Sequence, residues 1–166
     1  MKKKTERLMA PCTGKTLPLS AVPDEVFAQG ILGKGIAIDP TARSFFAPVS
    51  GEVTSVVDSL HAYTLSSNNG TNVLVHIGVD TVSLAGKGFL SHVRAGDRVV
   101  AGQLIAEADI DLIRSRGLSP ICSLVVTEPE DIEDIEYTPG FCIGGEDAVM
   151  QYQVTVRNDY DKHAST

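Results

Sequence analysis

Short runs rich in Val, Ile and Thr, separated by Gly and Pro, dominate this chain, and apolar spacings of i, i+3, i+4 and i+7 are scarce. That pattern predicts a mostly β protein. Gly51–Val57, His61–Leu65, Asn72–Ile77, Asp97–Val100 and Gln151–Val156 read as strands bounded by turn residues. Helices should be few and short. The candidate is Asp109–Arg116, where Asp109 supplies an N-cap oxygen, Asp111 a negative charge in the first turn, and Arg114, Arg116 and Gly117 a C-terminal stop. Two pieces recur at strand entries or turns: Ala10-Pro11-Cys12-Thr13-Gly14 against Ala47-Pro48-Val49-Ser50-Gly51, and Gly33-Lys34-Gly35 against Gly86-Lys87-Gly88. They predict a duplicated β motif.

A length of 166 residues, 43% of them hydrophobic, is enough for one sizeable core. The expected division is a basic N-terminal tail over 1–7, one domain over 8–156 and a polar C-terminal tail over 157–166. No apolar run approaches the ~20 residues of a membrane span, and the start lacks the apolar stretch of a secretory signal, so a cytoplasmic protein without a transmembrane segment is expected. A net charge of −7 argues against nucleic acid as a partner. Cys12, Cys122 and Cys142 are odd in number and show no CxxC spacing, which predicts free thiols. The acidic stretch Glu128–Glu136 reads as a solvated loop, since it lacks the fixed glycine and carboxylate spacing of a calcium loop. Ala47–Gly51 with Gly96-Asp97 and Gly102-Gln103 is similar to biotinyl and lipoyl carrier domains, but no lysine stands where those carriers hold their prosthetic group.

The candidate chemistry lies in His61 and His76, on two expected strands joined by Ser66-Ser67-Asn68-Asn69-Gly70. Their odd separation places both imidazoles on one face of the sheet for any even-length turn; an odd-length turn would separate them. With Asn69-Gly70 at the turn centre Tyr63 faces His76 and His61 lies diagonally beside it; with Asn68-Asn69 central the two histidines face each other. Val73, Val75 and Ile77 then point into the core, leaving His76 on the more accessible side. Two neutral imidazoles can bind zinc, which needs a third protein ligand. They can also act as nucleophile and assistant at phosphorus, one Nε2 attacking and the other ring donating its N–H to the phosphoryl oxygens.

The sequence resembles the glucose-type enzyme IIA domain of the bacterial phosphoenolpyruvate:sugar phosphotransferase system. The resemblance runs from about Leu8 to Val156 through Ala10-Pro11, Val22–Ala28, Gly33–Ile38, Phe46–Gly51, His61-Ala62 and above all Leu74-Val75-His76-Ile77-Gly78-Val79-Asp80-Thr81-Val82, followed by Gly86–Phe89. It implies an all-β antiparallel sandwich and a carrier that takes a phosphoryl group from HPr and passes it to a cysteine of a IIB domain. By the same resemblance His76 is the phosphorylated histidine and His61 the auxiliary one. Ser59 would orient His61, and the Gly78 carbonyl would hold Nδ1–H of His76. Asp24 and Asp80 would flank the site, while Val26, Phe27, Leu32, Leu74 and Val82 would form an apolar docking surround.

No cofactor is required on this reading, although a chance ion or a partner could complete a zinc site around His61 and His76. The alternatives are a zinc-binding hydrolase using those histidines and a regulatory binding protein switched by phosphorylation. His92 and His163 are expected to be bystanders.

Overall fold

Fourteen strands and two short α-helices follow one another in residues 2–156, the part of the chain that the computed structural model describes. They are β1 (Lys2–Met9), β2 (Gly14–Pro18), α1 (Glu25–Ala28), β3 (Lys34–Pro40), β4 (Ser44–Phe46), β5 (Gly51–Val56), β6 (Ala62–Ser67) and β7 (Asn72–Ile77). Then come β8 (Phe89–Ser91), β9 (Arg98–Val99), β10 (Leu104–Ala108), α2 (Ile110–Ser115), β11 (Cys122–Val126), β12 (Ile132–Tyr137), β13 (Phe141–Cys142) and β14 (Ala148–Val156). All strand pairs are antiparallel. One sheet has the order β13-β2-β3-β11-β7-β6-β5-β9, and two three-stranded sheets have the orders β1-β14-β12 and β4-β10-β8. The predicted β architecture is the observed one. Helix α2 starts where expected, with Asp109 Oδ1 accepting from Leu112 N at 3.0 Å, and Gly117 ends it at φ 74°.

The large sheet reads as two halves, β11-β3-β2-β13 and β7-β6-β5-β9, that meet at the β7–β11 pair. Reciprocal backbone bonds relate them. Met9 N donates to Pro48 O at 2.9 Å and Phe46 N to Pro11 O at 2.8 Å; Gly145 N donates to Ala10 O and Gly102 N to Ala47 O. The two Ala-Pro pieces therefore hold equivalent places, and the segment β4–β10 is one copy inserted within the other. The Gly-Lys-Gly pieces do not follow this relation. Gly33–Gly35 leads into β3 and is part of the central sheet, whereas Gly86–Gly88 turns into β8 at the edge of a small one.

Strand alternation decides which side chains are buried. In β7, Val73, Val75 and Ile77 are fully buried, while Leu74 and His76 face the other side and are half-buried. They join a core that includes Leu8, Phe45, Tyr63, Leu65, Leu124 and Tyr152. Fully burying each such side chain is worth ~1.5–3 kcal/mol. Strand β11 is buried on both faces, because a second apolar cluster of Val22, Phe27, Ala37, Val79 and Val125 covers the outer side of the sheet. This cluster brings α1 against His76. Cys12, Cys122 and Cys142 are buried free thiols, and burial pushes the Cys12 thiol well above its usual value.

Two expectations are corrected. Residues 2–9 are a strand, not a solvated tail: β1 pairs with β14 from Lys2 opposite Val156 to Leu8 opposite Met150. Its lysines stand along a sheet edge, where charge discourages pairing with another chain. Glu6, 7% exposed, turns inward, and its Oε2 accepts from Thr71 Oγ1 at 2.7 Å, Tyr152 OH at 3.0 Å and Ser67 Oγ at 3.2 Å. Likewise Ile132–Glu136 belongs to β12, whose Ile132 is buried, so only the first part of the acidic stretch is a turn. Residues 157–166 and His163 lie outside the described residues.

The Glu6 cluster makes the correction testable. Glu6→Ala leaves buried hydroxyls without their acceptor and should cost ~1–3 kcal/mol in urea unfolding. An unchanged midpoint would mean that the strand contributes no more than a tail.

Candidate functional site

The β6–β7 connection differs from both turns considered from sequence. Ala62 pairs with His76, Tyr63 with Val75 and Ser66 with Asn72, so the odd-length segment Ser67–Thr71 lies between the last paired residues. Polar side chains close this wider loop: Ser67 Oγ accepts from Asn69 N at 3.2 Å and Thr71 N at 3.1 Å, while Ser67 and Thr71 both bond to Glu6. On strict alternation this register would set His61, opposite Ile77, on the core side. Yet the imidazole centroids of His61 and His76 are 5.0 Å apart and nearly perpendicular at 82°. His61 lies just before β6, after Leu60 in the left-handed region at φ 63°, so strand alternation does not extend to it. Its carbonyl still accepts from Ile77 N at 2.7 Å, which ties the chain beside β7. The juxtaposition is as expected, but it arises at the strand entry instead of from turn parity.

His76 is oriented by the turn that follows β7. Its Nδ1 lies 2.8 Å from the Gly78 carbonyl oxygen. A carbonyl can only accept, so the proton is on Nδ1, and in the neutral ring Nε2 is a free lone pair. Gly78 adopts φ 80°, and a Cβ there would run into the Thr81 methyl group, so glycine is required on both counts. Ser59 Oγ lies 2.8 Å from His61 Nδ1. When that hydroxyl donates, His61 keeps its proton on Nε2 and becomes a hydrogen-bond donor. In that arrangement the two rings offer a free lone pair and an N–H side by side.

Burial lowers the pKa of both histidines from the usual 6.5. For His76 the proximity of His61 adds to this, while the hydrogen bond to Gly78 and the Asp24 and Asp80 carboxylates oppose it. For His61 the backbone of Ser59, not its hydroxyl, is the opposing influence. Asp24 serves a second purpose as the N-cap of α1, its Oδ1 accepting from Val26 N at 3.0 Å. Asp80 stands at φ 58° in the turn after Gly78.

The apolar surround divides in two. Val26 and Val82 are 40% and 59% exposed, and Leu32 and Leu74 are half-buried. Phe27 is only 4% exposed, with its ring centroid 4.9 Å from that of His76. The expectation that Phe27 is itself a docking surface is therefore corrected: α1 directs it inward onto Val22, Ala37, Val79 and Val125, where it forms the wall behind the imidazole. His61, 7% exposed, is also less accessible than expected.

Ile31, 66% exposed, is a further apolar surface residue, in the loop after α1, that the sequence reading did not single out. The signal was an apolar residue between Gly30 and Gly33, in a turn where nothing enforces burial. The backbone carbonyls of Ser119 and Ile121, which accept from Val79 N and Gly78 N, were also missed, because a carbonyl leaves no mark on residue type. As for metals, the histidines supply two donors, and among the described residues no group of three His, Cys, Asp or Glu side chains is placed to hold an ion. His92 is paired with Glu107 at 2.9 Å, on β10.

Residues 6–132 match the model of the phosphoenolpyruvate-dependent sugar phosphotransferase system EIIA 1 family. The chain is 39% identical over 135 residues to the glucose-specific EIIA component of Bacillus cereus, covering 81% of this chain and 82% of that one. It is 44% identical over 131 residues to the beta-glucoside-specific EIIBCA component of Dickeya chrysanthemi, covering 79% of this chain but only 21% of that much longer protein. In structure it is similar to glucose permease IIA from Mycoplasma capricolum, with a TM-score of 0.84 and 33% identity over 89% of this chain and 96% of that one.

Two measurements test the site as described. NMR titration should place both histidine midpoints below 6.5. Because the unfolded rings bind protons first, stability should be full above about pH 6.5 and decline as pH falls through the lower folded values. A midpoint above 6.5 for either ring would contradict the burial argument. Phe27→Ser should lower stability by about 3–5 kcal/mol, the range for truncating a buried Phe; a loss near zero would return Phe27 to the exposed rim.

Proposed function

Because the chain belongs to the phosphoenolpyruvate-dependent sugar phosphotransferase system EIIA 1 family, we propose that it carries a phosphoryl group on His76 Nε2, received from the phosphohistidine of HPr and delivered to a IIB cysteine in the cytoplasm. The observation that carries this reading is the 2.8 Å contact of His76 Nδ1 with the Gly78 carbonyl, beside a second imidazole at 5.0 Å. In the first step the Nε2 lone pair of neutral His76 forms the new N–P bond while the donor N–P bond breaks. In the second, a cysteine thiolate forms an S–P bond and Nε2 leaves with its electron pair.

Each neighbour has a role in that exchange. His61 Nε2–H donates to the phosphoryl oxygens as charge builds on them. Ser59 holds the tautomer that makes this possible. Asp24 and Asp80 add negative charge near the phosphoryl group, which carries about −1.5 to −2 near pH 7, so transfer away is favoured. Val26, Ile31, Leu32, Leu74 and Val82 provide a rim that excludes water when a partner docks, protecting the phosphoramidate from hydrolysis. A IIB partner is supported further by the Dickeya relative, an EIIBCA component whose name joins A to B and C parts.

Labelled phosphoenolpyruvate with enzyme I and HPr, followed by peptide mapping, tests the relay. The parent should take label on His76, and His76→Ala should take none. His61→Gln should still accept label but deliver it to IIB more slowly, by ~10²–10³-fold if a preorganised donor is lost. Label on His61, or delivery by His61→Gln at the parent rate, would show that the two roles are wrongly assigned.

A further inference from the structure

The Gly78 carbonyl can select the His76 tautomer only if its own peptide plane cannot turn. A trans peptide points its C=O and N–H in opposite directions, so fixing either end fixes the other. The Gly78–Val79 plane has its carbonyl on His76 Nδ1 and its N–H on Ser119 O at 2.9 Å. The plane before it, Ile77–Gly78, has its N–H on Ile121 O at 3.0 Å and its carbonyl on Thr81 Oγ1 at 2.5 Å. Both planes are therefore clamped at both ends. Apart from His76 itself, Thr81 is the one side chain among these clamps.

We propose that Thr81 is a positioning residue for His76, its hydroxyl holding the Ile77–Gly78 peptide so that the Gly78 carbonyl stays on Nδ1. Thr81 is fully buried, opens the 3-10 turn after Asp80, and reaches back four residues to Ile77. Its methyl group fills the space where a Cβ on Gly78 would lie. The hydroxyl and the methyl thus confine the same glycine, which could otherwise rotate freely because it has no side chain. Without the hydroxyl, the Ile77 carbonyl loses its buried donor, and rotation of the Ile77–Gly78 peptide toward another partner would carry the Gly78 carbonyl off Nδ1. The proton could then move to Nε2, and the ring would present no lone pair to phosphorus. The effect on transfer rests on the proposed role of His76; the effect on the tautomer does not.

The test compares Thr81→Val, which keeps the shape without the hydroxyl, with Thr81→Ser, which keeps the hydroxyl. Nitrogen-15 NMR of the unphosphorylated proteins reads the His76 tautomer directly, with no partner enzymes present. The parent and Thr81→Ser should hold Nδ1–H, whereas Thr81→Val should show a larger share of Nε2–H and accept phosphoryl from HPr about tenfold or more slowly. A folded Thr81→Val with the parent tautomer overturns the proposal. If Thr81→Val does not fold, Thr81→Cys replaces it, matching Ser in shape but offering a weaker donor; equal tautomer populations in Ser and Cys variants then overturn the proposal. Failure of the parent to accept phosphoryl would sink the relay instead and leave the tautomer result standing.

Discussion

The hydrogen bond from His76 Nδ1 to the Gly78 carbonyl is the constraint on which the site depends, because it decides which ring nitrogen is free. An imidazole on an unconstrained strand would exchange its proton between nitrogens and turn about its side-chain bonds. Here the ring is fixed by a carbonyl at one edge, by Phe27 against it and by His61 at right angles. Burial, which favours the neutral form of both rings, acts in the same direction. In the proposed role as a nucleophile, what the ring contributes is a lone pair held in place.

The doubled architecture explains how so small a chain holds that geometry. The two halves of the large sheet join at β7 and β11, where His76 lies opposite Ser123, a residue 1% exposed. Beneath it are core residues from both copies; above it lies the second apolar cluster, which anchors α1. The site therefore lies beside a strand that is covered on both faces, even though its apolar surround is partly exposed. The duplication is structural, not chemical, since among the described residues the histidines all lie in the inserted copy.

The same packing separates rim from wall. Residues that look alike in sequence, Val26 beside Phe27, receive different exposures from one short helix. Phe27 supports the imidazole from behind, whereas Val26, Ile31 and Val82 meet the solvent. On the proposed function a partner would contact these latter groups and leave the support undisturbed.

Much of this was legible in the residues. Alternation in Asn72–Ile77 determined which side of β7 is core, and the Asp109 cap with Gly117 determined where α2 begins and ends, because both are local rules of backbone geometry. The Ala-Pro repeat marked the duplication, and the motif Leu74–Val82 pointed to the histidine pair. Tertiary structure decided the rest. It placed Lys2–Met9 in a sheet, because the inward side chains of Glu6 and Leu8 find partners more than forty residues away, on β14 and in the β6–β7 loop. It brought His61 to His76 through a left-handed Leu60, not through turn parity, and it turned Phe27 inward. Local pattern specifies which faces of an element are apolar; which distant groups meet those faces depends on contacts that no single stretch of sequence contains.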